Sequence, residues 1–399
     1  MRDGGTGRSI AVAGAGIAGL SAAIALKLSG FQPLLFEREA TLAPIGAGIQ
    51  LGPNATRIME SWNLDLLGSS VEPEAIELRN ARSGALLNTI PLKRAVRARY
   101  GAPYLTLLRA DLQKAMLTRA EELGIPINFG CAVTAAEEKN GSVLVEAGGE
   151  THTACALIGA DGVNSDVRKI AGLRARRFSA QAVAWRGILP LDAVPAPLRS
   201  RIVIWMAPGA HLVHYPVAGG ASLNGVLIID DVYRNDGISE QDEALSYLLP
   251  RLAGWAELPC SAIQSTGEWL HWRLSGVENG RGGKGLIQVI GDAWHAMLPY
   301  LASGGVMAIE DAAALAGSVT AAEGNLERAL KRFRMQRARR VWRVARASAQ
   351  RGRVYHCPQP FDLLRDLTIR TLSGNALLSM NDWLYAGRPI RQAPAKGKA

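Results

Sequence analysis

The chain has 399 residues, enough for two domains or one large composite one, and its 48% hydrophobic and 20% charged composition is ordinary for a globular protein. No apolar run approaches the roughly 18 residues needed to cross a bilayer; the short polar start, Met1 to Arg8, does not read as a signal peptide, so the cytoplasm is the default location; and four scattered cysteines argue against disulfides and zinc. The net charge of +10 is local: Lys331 to Arg353 holds ten Lys/Arg and no acid, and the remainder balances at 35 against 35. A solvated helix face is therefore expected there, in preference to a nucleic-acid surface.

Ser9 to Ala13 is a short apolar run, the pattern of a buried strand. Gly14, Gly16 and Gly19 follow in G-x-G-x-x-G spacing, and Ile17, Leu20, Ile24 and Leu28 recur at helical spacing until Gly30. A second apolar run, Leu34 to Phe36, ends at Glu37, 23 residues beyond Gly14. Each part has a task in dinucleotide binding. Gly14 permits the tight turn, Gly16 admits a pyrophosphate to the backbone, and Gly19 lets the helix pack against the sheet. The helix N-terminus offers free N–H groups to phosphate. An acid about 20 residues on accepts the ribose hydroxyls. The pattern does not separate NAD from FAD.

Ile45 to Ala55, with Gly46, Gly48, Gly52 and Pro53, reads as a constrained loop leading to a helix near Asn54. Pro73 to Tyr100 reads as mixed strand and loop, with a basic stretch from Lys93 to Arg99. Thr106 to Leu117 is a strand end entering a helix through Arg109, with apolar positions 112, 116 and 117 on one face. Short runs near Val133 and Val143 to Val145 suggest a small antiparallel unit. Cys155 to Gly159 is a buried strand that leads to Asp161-Gly162 and a helix capped by Ser165.

Residues 173 to 280 hold five of the nine tryptophans, Trp185, Trp205, Trp255, Trp269 and Trp272, among alternating strand-like runs. They suit either a core or a pocket for a flat aromatic. Leu286 to Ile290 is a third strand ending in a glycine–acid pair, Gly291-Asp292. A long helix is expected from about Met307 to Ala322, and a mainly helical tail from about Asn325.

Three marks coincide: G-A-G-I-A-G-L at 14–20, G-A-D-G-V-N-S-D-V-R at 159–168 and V-I-G-D-A-W-H at 289–295. With M-A-I-E-D-A at 307–312, they resemble the class A flavoprotein aromatic hydroxylases, which share the fold of p-hydroxybenzoate hydroxylase. Gly46 to Ala55, Trp185-Arg-Gly187, His211 to Pro216 and Asn381 to Tyr385 resemble the subgroup of salicylate hydroxylase, 3-hydroxybenzoate 6-hydroxylase and 6-hydroxynicotinate 3-monooxygenase.

The resemblance implies an α/β composite. A Rossmann-like FAD-binding domain with a mainly parallel sheet would come from residues 1–72, 101–172 and 281–324. A β-sheet substrate domain would come from 73–100 and 173–280, and C-terminal helices from 325–399. Gly14, Ala15, Gly16, Ala18 and Gly19 would hold the FAD pyrophosphate, Glu37 the ribose, Arg38 and Arg109 the adenosine and phosphates, and Asp292 the ribityl or pyrophosphate region. Asp161 would serve FAD and NAD(P)H, and Pro299 to Gly305, including Gly304, would lie against the flavin ring. NADH or NADPH would be a transient co-substrate, since no second complete G-x-G-x-x-G is present.

The implied reaction is a hydroxylation with dioxygen through a flavin C4a-hydroperoxide. It needs a dry site and a base for the substrate hydroxyl. His211, His214 and Tyr215 are the candidates. Residues 211 and 215 share a strand face and 214 takes the other, which favours His211 as base and Tyr215 as its partner. Gln50, Trp185, Arg186, Tyr300 and Ser303 are expected around the substrate. The chain departs from the family at Trp294, at His295-Ala296, where His-Pro is usual, and at Ser303-Gly304-Gly305, where a glutamine is usual. These departures bear on the substrate, not on the fold. The leading substrate is a small hydroxylated aromatic or N-heteroaromatic acid. A larger secondary metabolite is the alternative, and a non-catalytic flavin-binding protein is the third reading. No metal, nucleic acid or membrane partner is expected, and a monomer or homodimer is.

Overall fold

The computed structural model describes residues 8–42, 48–66, 68–231, 237–278, 280–321 and 325–387. Gly46 and the start of the glycine-rich stretch after Glu37 lie outside these residues.

The strand Ser9–Ala13 is the centre of a six-stranded sheet. It pairs in parallel with Gln32–Phe36 on one side and Ala156–Gly159 on the other, with Val12 beside Leu35 and Ile158. Ile287–Val289 and Ile127–Asn128 extend the sheet in parallel, and Gly283–Lys284 closes one edge antiparallel. The helices Ile17–Leu28 and Gly304–Thr320 pack on this sheet and on each other. Burial of their alanine, leucine and isoleucine faces fixes them there, and the second also buries two acids, Glu310 and Asp311. Distant segments thus meet because the central strands Ser9–Ala13, Ala156–Gly159 and Ile287–Val289, buried along nearly their whole length, are stable only inside a covered parallel sheet.

An eight-stranded sheet forms the second layer, ordered Gly237–Glu240, Glu268–Glu278, Arg176–Leu189, Ser222–Ile229, Ala210–Val217, Ile202–Ala207, Ala75–Asn80 and Leu86–Pro91. Its pairs are antiparallel except Ile202–Ala207 with Ala75–Asn80. Side chains alternate between its faces. Trp185, Val203, Trp205, Leu212 and Trp269 pack on one face under the helices Gln241–Arg251 and Glu257–Gln264. Leu78, Ile202, Ile204, Met206 and Tyr215 occupy the other, with Tyr355, Ile369 and Leu377 from the C-terminal helices.

Three local expectations are corrected. Lys93–Tyr100 is a helix, not a loop; only Val96 and Tyr100 are buried, too few to reveal a period, and Gly101 ends it at φ 72°. Gly48–Leu51 is a strand paired with Leu105–Leu108, where a loop was expected. The alanine-rich helix begins at Gly304, three residues early. The small antiparallel unit is present as Val133–Lys139, Ser142–Ala147 and Glu150–Ala154. Among the described residues, no helix is long and apolar enough to cross a membrane.

The basic segment forms the helix Leu326–Tyr355, and it is not simply a solvated face. Arg337 is buried and meets Asp311 at 2.7 Å and Glu310 at 2.7 Å; Arg340 meets Glu310 at 2.7 Å. Asn54 donates to the same Glu310 at 2.6 Å. Burial opposes the charges of Glu310 and Asp311, but Arg337, with Arg340 on the first and His295 on the second, holds both carboxyls below their ordinary range. Arg340 also donates to the carbonyls of Trp383 and Leu384, which ties the C-terminal turn to this network.

Candidate active site

The glycine turn divides its labour as sequence chemistry requires. Gly14 has φ +97°, and a Cβ there would lie 2.7 Å from the Ala160 carbonyl oxygen. A Cβ on Gly19 would fall 1.8 Å from the Gly14 oxygen, so only glycine permits this helix-to-strand approach. A Cβ on Gly16 would meet nothing within 4 Å. Gly16 faces open space, which is the place left for a ligand. Glu37 is buried and accepts from the backbone N–H of Ala15 at 2.6 Å and of Glu39 at 3.0 Å. Arg38 is exposed, pairs with Glu39, and does not reach the cavity.

Asp161 has a different task from the one expected. Its carboxylate accepts from the Ser165 hydroxyl at 2.6 Å and from the N–H groups of Asp166 and Val167, so it caps the short helix Asp166–Ile170. Ala160 and Gly162 beside it do line the cavity. At the third strand end, the Gly291 N–H donates to Asp311 at 3.0 Å, and His295 bonds the same carboxylate at 2.6 Å. The buried ion network thereby sets the turn that presents Asp292.

One cavity of about 380 Å³ joins the two layers. From the nucleotide side it is lined by Gly16, Ala18, Arg109, Asp292 and the run Pro299 to Gly305, which includes Tyr300, Ser303 and Gly304. From the eight-stranded sheet come Arg186, His211 and Tyr215, and from the strand Gly48–Leu51 comes Gln50. Isoleucines 76, 90, 202, 204 and 228 make much of the remaining wall.

Three sheet residues give this cavity its polarity. Arg186 makes no ion pair among the described residues; its Nε is buried and unpartnered, and its guanidinium lies 4.7 Å over the Trp272 ring. Burial, with help from the Arg109 charge, lowers its pKa, so a bound anion would relieve an unfavourable charge. Burial, then His356, holds the His211 pKa well below the ordinary 6.5, so the His211 ring is neutral. Burial raises the Tyr215 hydroxyl to about 12, against Arg186 and a hydrogen bond with Gln50, so it remains a phenol. Gln50 also accepts from Tyr104 at 2.8 Å.

Two expected residues are not in the cavity. His214 faces the other side of the sheet, 6.5 Å from the Trp205 ring, because strand side chains alternate. Trp185 lies on that same side, stacked 4.3 Å from His271. None of the five tryptophans lines the cavity. Ser303 does line it, but its hydroxyl donates to the Leu301 carbonyl at 2.8 Å. Sequence reasoning passed over Tyr104, Arg351, Tyr355 and Met380, and used Tyr385 only as a mark of the subgroup; all five line the cavity. Four of these come from the C-terminal helices; the Tyr355-His356 pair closing a basic helix was the available signal.

The residues present fit an extended flavin nucleotide. Gly16 is open to solvent space, Arg109 makes no ion pair among the described residues, and Asp292 with Gly304 and Gly305 faces the same cavity. A parallel sheet whose strand ends carry these groups beside a second, substrate-sized layer defines a flavin-dependent oxidoreductase.

A family model described as FAD binding domain matches residues 8–348, and the chain belongs to that family, within the flavoprotein aromatic hydroxylases. It is 31% identical over 389 residues to 3-hydroxybenzoate 6-hydroxylase of Polaromonas naphthalenivorans, covering 94% of this chain and 95% of that protein. It is 34% identical over 386 residues to 3-amino-4-hydroxybenzoate 2-monooxygenase PtnB3 of Streptomyces platensis, covering 94% and 95%. Klebsiella pneumoniae HpxO complexed with FAD and uric acid superposes with a TM-score of 0.83 at 25% identity, covering 94% of this chain and 95% of that one. The protein is an FAD-dependent monooxygenase, with NAD(P)H as the electron donor typical of these hydroxylases.

Proposed function

We propose that the protein hydroxylates a small hydroxylated aromatic or N-heteroaromatic acid, with Arg186 holding the carboxylate and His211 taking the hydroxyl proton. The observation that carries this reading is the Arg186 guanidinium, which has no ion pair among the described residues and a buried Nε without a partner, in a wall that includes Ile76, Ile202, Ile204 and Ile228. A planar guanidinium matches a carboxylate bidentately and is the stronger for being buried. The names of the relatives, hydroxybenzoate hydroxylases among them, support the same class.

Bound FAD supplies the means to move electrons from NAD(P)H to dioxygen and one oxygen atom to an electron-rich ring. The chain's own residues do the rest. The isoleucines exclude water. Arg186 orients the acid. His211, neutral and in the wall, accepts the ring hydroxyl proton, which makes the ring a better nucleophile. Tyr215 and Gln50 offer hydrogen bonds that fix the ring plane. Gly16, Arg109 and Asp292 hold the nucleotide.

A cavity of about 380 Å³ lies at the small end of ligand pockets, roughly 300–1,000 Å³, and the flavin takes part of it. This favours a single-ring substrate over the larger-metabolite reading. The test is a panel of hydroxybenzoates and hydroxypyridine carboxylates scored for NAD(P)H consumption and hydroxylated product. Product from a carboxylated phenol, and none from the phenol lacking the carboxylate, is expected; equal turnover of the two overturns the role of Arg186.

A further inference from the structure

His211 does not stand alone. Its Nδ1 lies 2.7 Å from Nε2 of His356, and Nδ1 of His356 lies 2.7 Å from an Asp230 carboxylate oxygen. His211 and His356 are buried, while the Asp230 side chain is 49% exposed. The three groups run in a line from the cavity wall to solvent. Backbone bonds pin them. The Asp230 N–H donates to the Gly209 carbonyl at 2.8 Å, the Gly209 N–H donates to the His356 carbonyl at 3.3 Å, and the His356 N–H donates to Gly352 at 2.9 Å. The row draws on three pieces of chain: the strand Ala210–Val217, the end of its sheet neighbour Ser222–Ile229, and the end of the helix Leu326–Tyr355.

We propose that His211, His356 and Asp230 form a proton relay that carries the substrate hydroxyl proton from the cavity to solvent. The proposal rests on the substrate reading above and adds two residues to it. Nδ1 of His211 is committed to His356, so Nε2 is the nitrogen left for a ligand. As Nε2 takes the substrate proton, Nδ1 passes its own proton to Nε2 of His356. Nδ1 of His356 passes its proton to the Asp230 carboxylate, and water removes it. Counting the last transfer to water, four bonds to hydrogen break and four form, no electron moves, and one proton leaves. Each ring ends in its other tautomer, and a proton returning along the row as product forms resets both.

The surroundings leave this row as the exit. The rings of Tyr300 and Tyr355 face His211 at 5.6 and 5.0 Å, and Tyr300 meets His356 edge-on at 5.7 Å. Burial raises the pKa of both tyrosines, Tyr300 further through Asp230, so neither takes up the proton. Arg351, beside Tyr355, is the cation on that side. A buried imidazole that cannot hold a second proton is a useful base only if it can hand one on.

The test uses FAD-loaded protein with ¹⁵N-labelled histidine, in the wild type and in the Asp230→Asn and His356→Gln variants. Asp230→Asn is expected to shift the ring-nitrogen signals of His211, which Asp230 does not touch. Rapid mixing with 3-hydroxybenzoate and a pH indicator is the second readout. Proton release on binding should be roughly 100-fold slower in both variants, the lower end of acid–base contributions, with affinity for the acid retained. Unchanged His211 signals, or release as fast as in the wild type, overturns the relay. If His356→Gln fails to hold FAD, the half-exposed Asp230→Asn decides. If 3-hydroxybenzoate and related phenolic acids do not bind the wild type, the substrate reading falls, and the ring-nitrogen signals still decide the relay.

Discussion

Trp185 and Arg186 are neighbours on one strand and serve opposite sides of it. The Trp185 ring is fully buried against His271 in the core beneath the outer helices, whereas Arg186 faces the cavity across the Trp272 ring. The paired strand repeats the division, with Trp185 opposite His271 and Ala184 opposite Trp272. Replacing Arg186 with Gln is therefore expected to weaken binding of an aromatic acid by roughly 10–100-fold, the loss of a charge-assisted pair worth ~1.5–3 kcal/mol. FAD content should not change. Titration of the acid against the flavin absorbance measures this, and an unchanged affinity removes Arg186 from carboxylate recognition.

Gly16 and Gly19 separate ligand binding from folding. Gly16→Ala adds a methyl group into open space, so the thermal stability of the FAD-free protein should hold while FAD affinity falls. Gly19→Ala places Cβ against the Gly14 oxygen and should cost at least ~1–3 kcal/mol of folding stability. Thermal melts of the two apoproteins give the comparison; equal melting temperatures would sink it.

Arg337 neutralises two buried carboxylates and, through Asp311, steadies the turn at Gly291. Arg337→Met removes the cation the two carboxylates share and leaves Glu310 to Arg340 and Asp311 to His295. A loss of about 3–5 kcal/mol is expected, together with weaker FAD retention, because Asp292 follows that turn. Denaturant unfolding and released-flavin fluorescence would report the two effects, and a melting temperature equal to wild type would show the network to be dispensable.

His214 sets an acid limit. Burial, then the Arg79 charge, holds its pKa down to about 3, and its Nδ1 has no partner. An unfolded chain takes up a proton there near pH 6.5, before the folded one does. The His214 contribution is therefore intact above pH 6.5 and is lost as the pH falls toward 3, by up to ~1.4 kcal/mol per pH unit. His214→Leu should flatten the fall in stability between pH 6 and 4 and leave substrate affinity alone. An acid-unfolding curve identical to wild type would count against this account.

The glycine turn, the three strand ends, the helix after each and the two-layer plan were legible because they depend on local rules. A Gly–x–Gly turn, an apolar run of five residues and a capping serine mean the same thing wherever the chain goes. Strand alternation even separated 211 and 215 from 214. It could not say which face would be cavity and which core, and so Trp185 was expected beside the substrate. Asp161 was read as a ligand group because its neighbours resemble one; its carboxylate instead satisfies the free N–H groups of the next helix.

By itself, then, the sequence determined a dinucleotide site and the sheet that holds it, since these follow from backbone freedom and residue type over short spans; FAD and the class of chemistry came from the resemblance of its motifs to the aromatic hydroxylases. Tertiary structure alone decided that arginines of the basic helix turn inward to buried acids, that the C-terminal tyrosines close the cavity, and that His356 and Asp230 stand behind His211. Those pairs lie up to 145 residues apart in sequence. Only the packing of whole layers, driven by burial of their apolar faces, brings them within reach of a hydrogen bond.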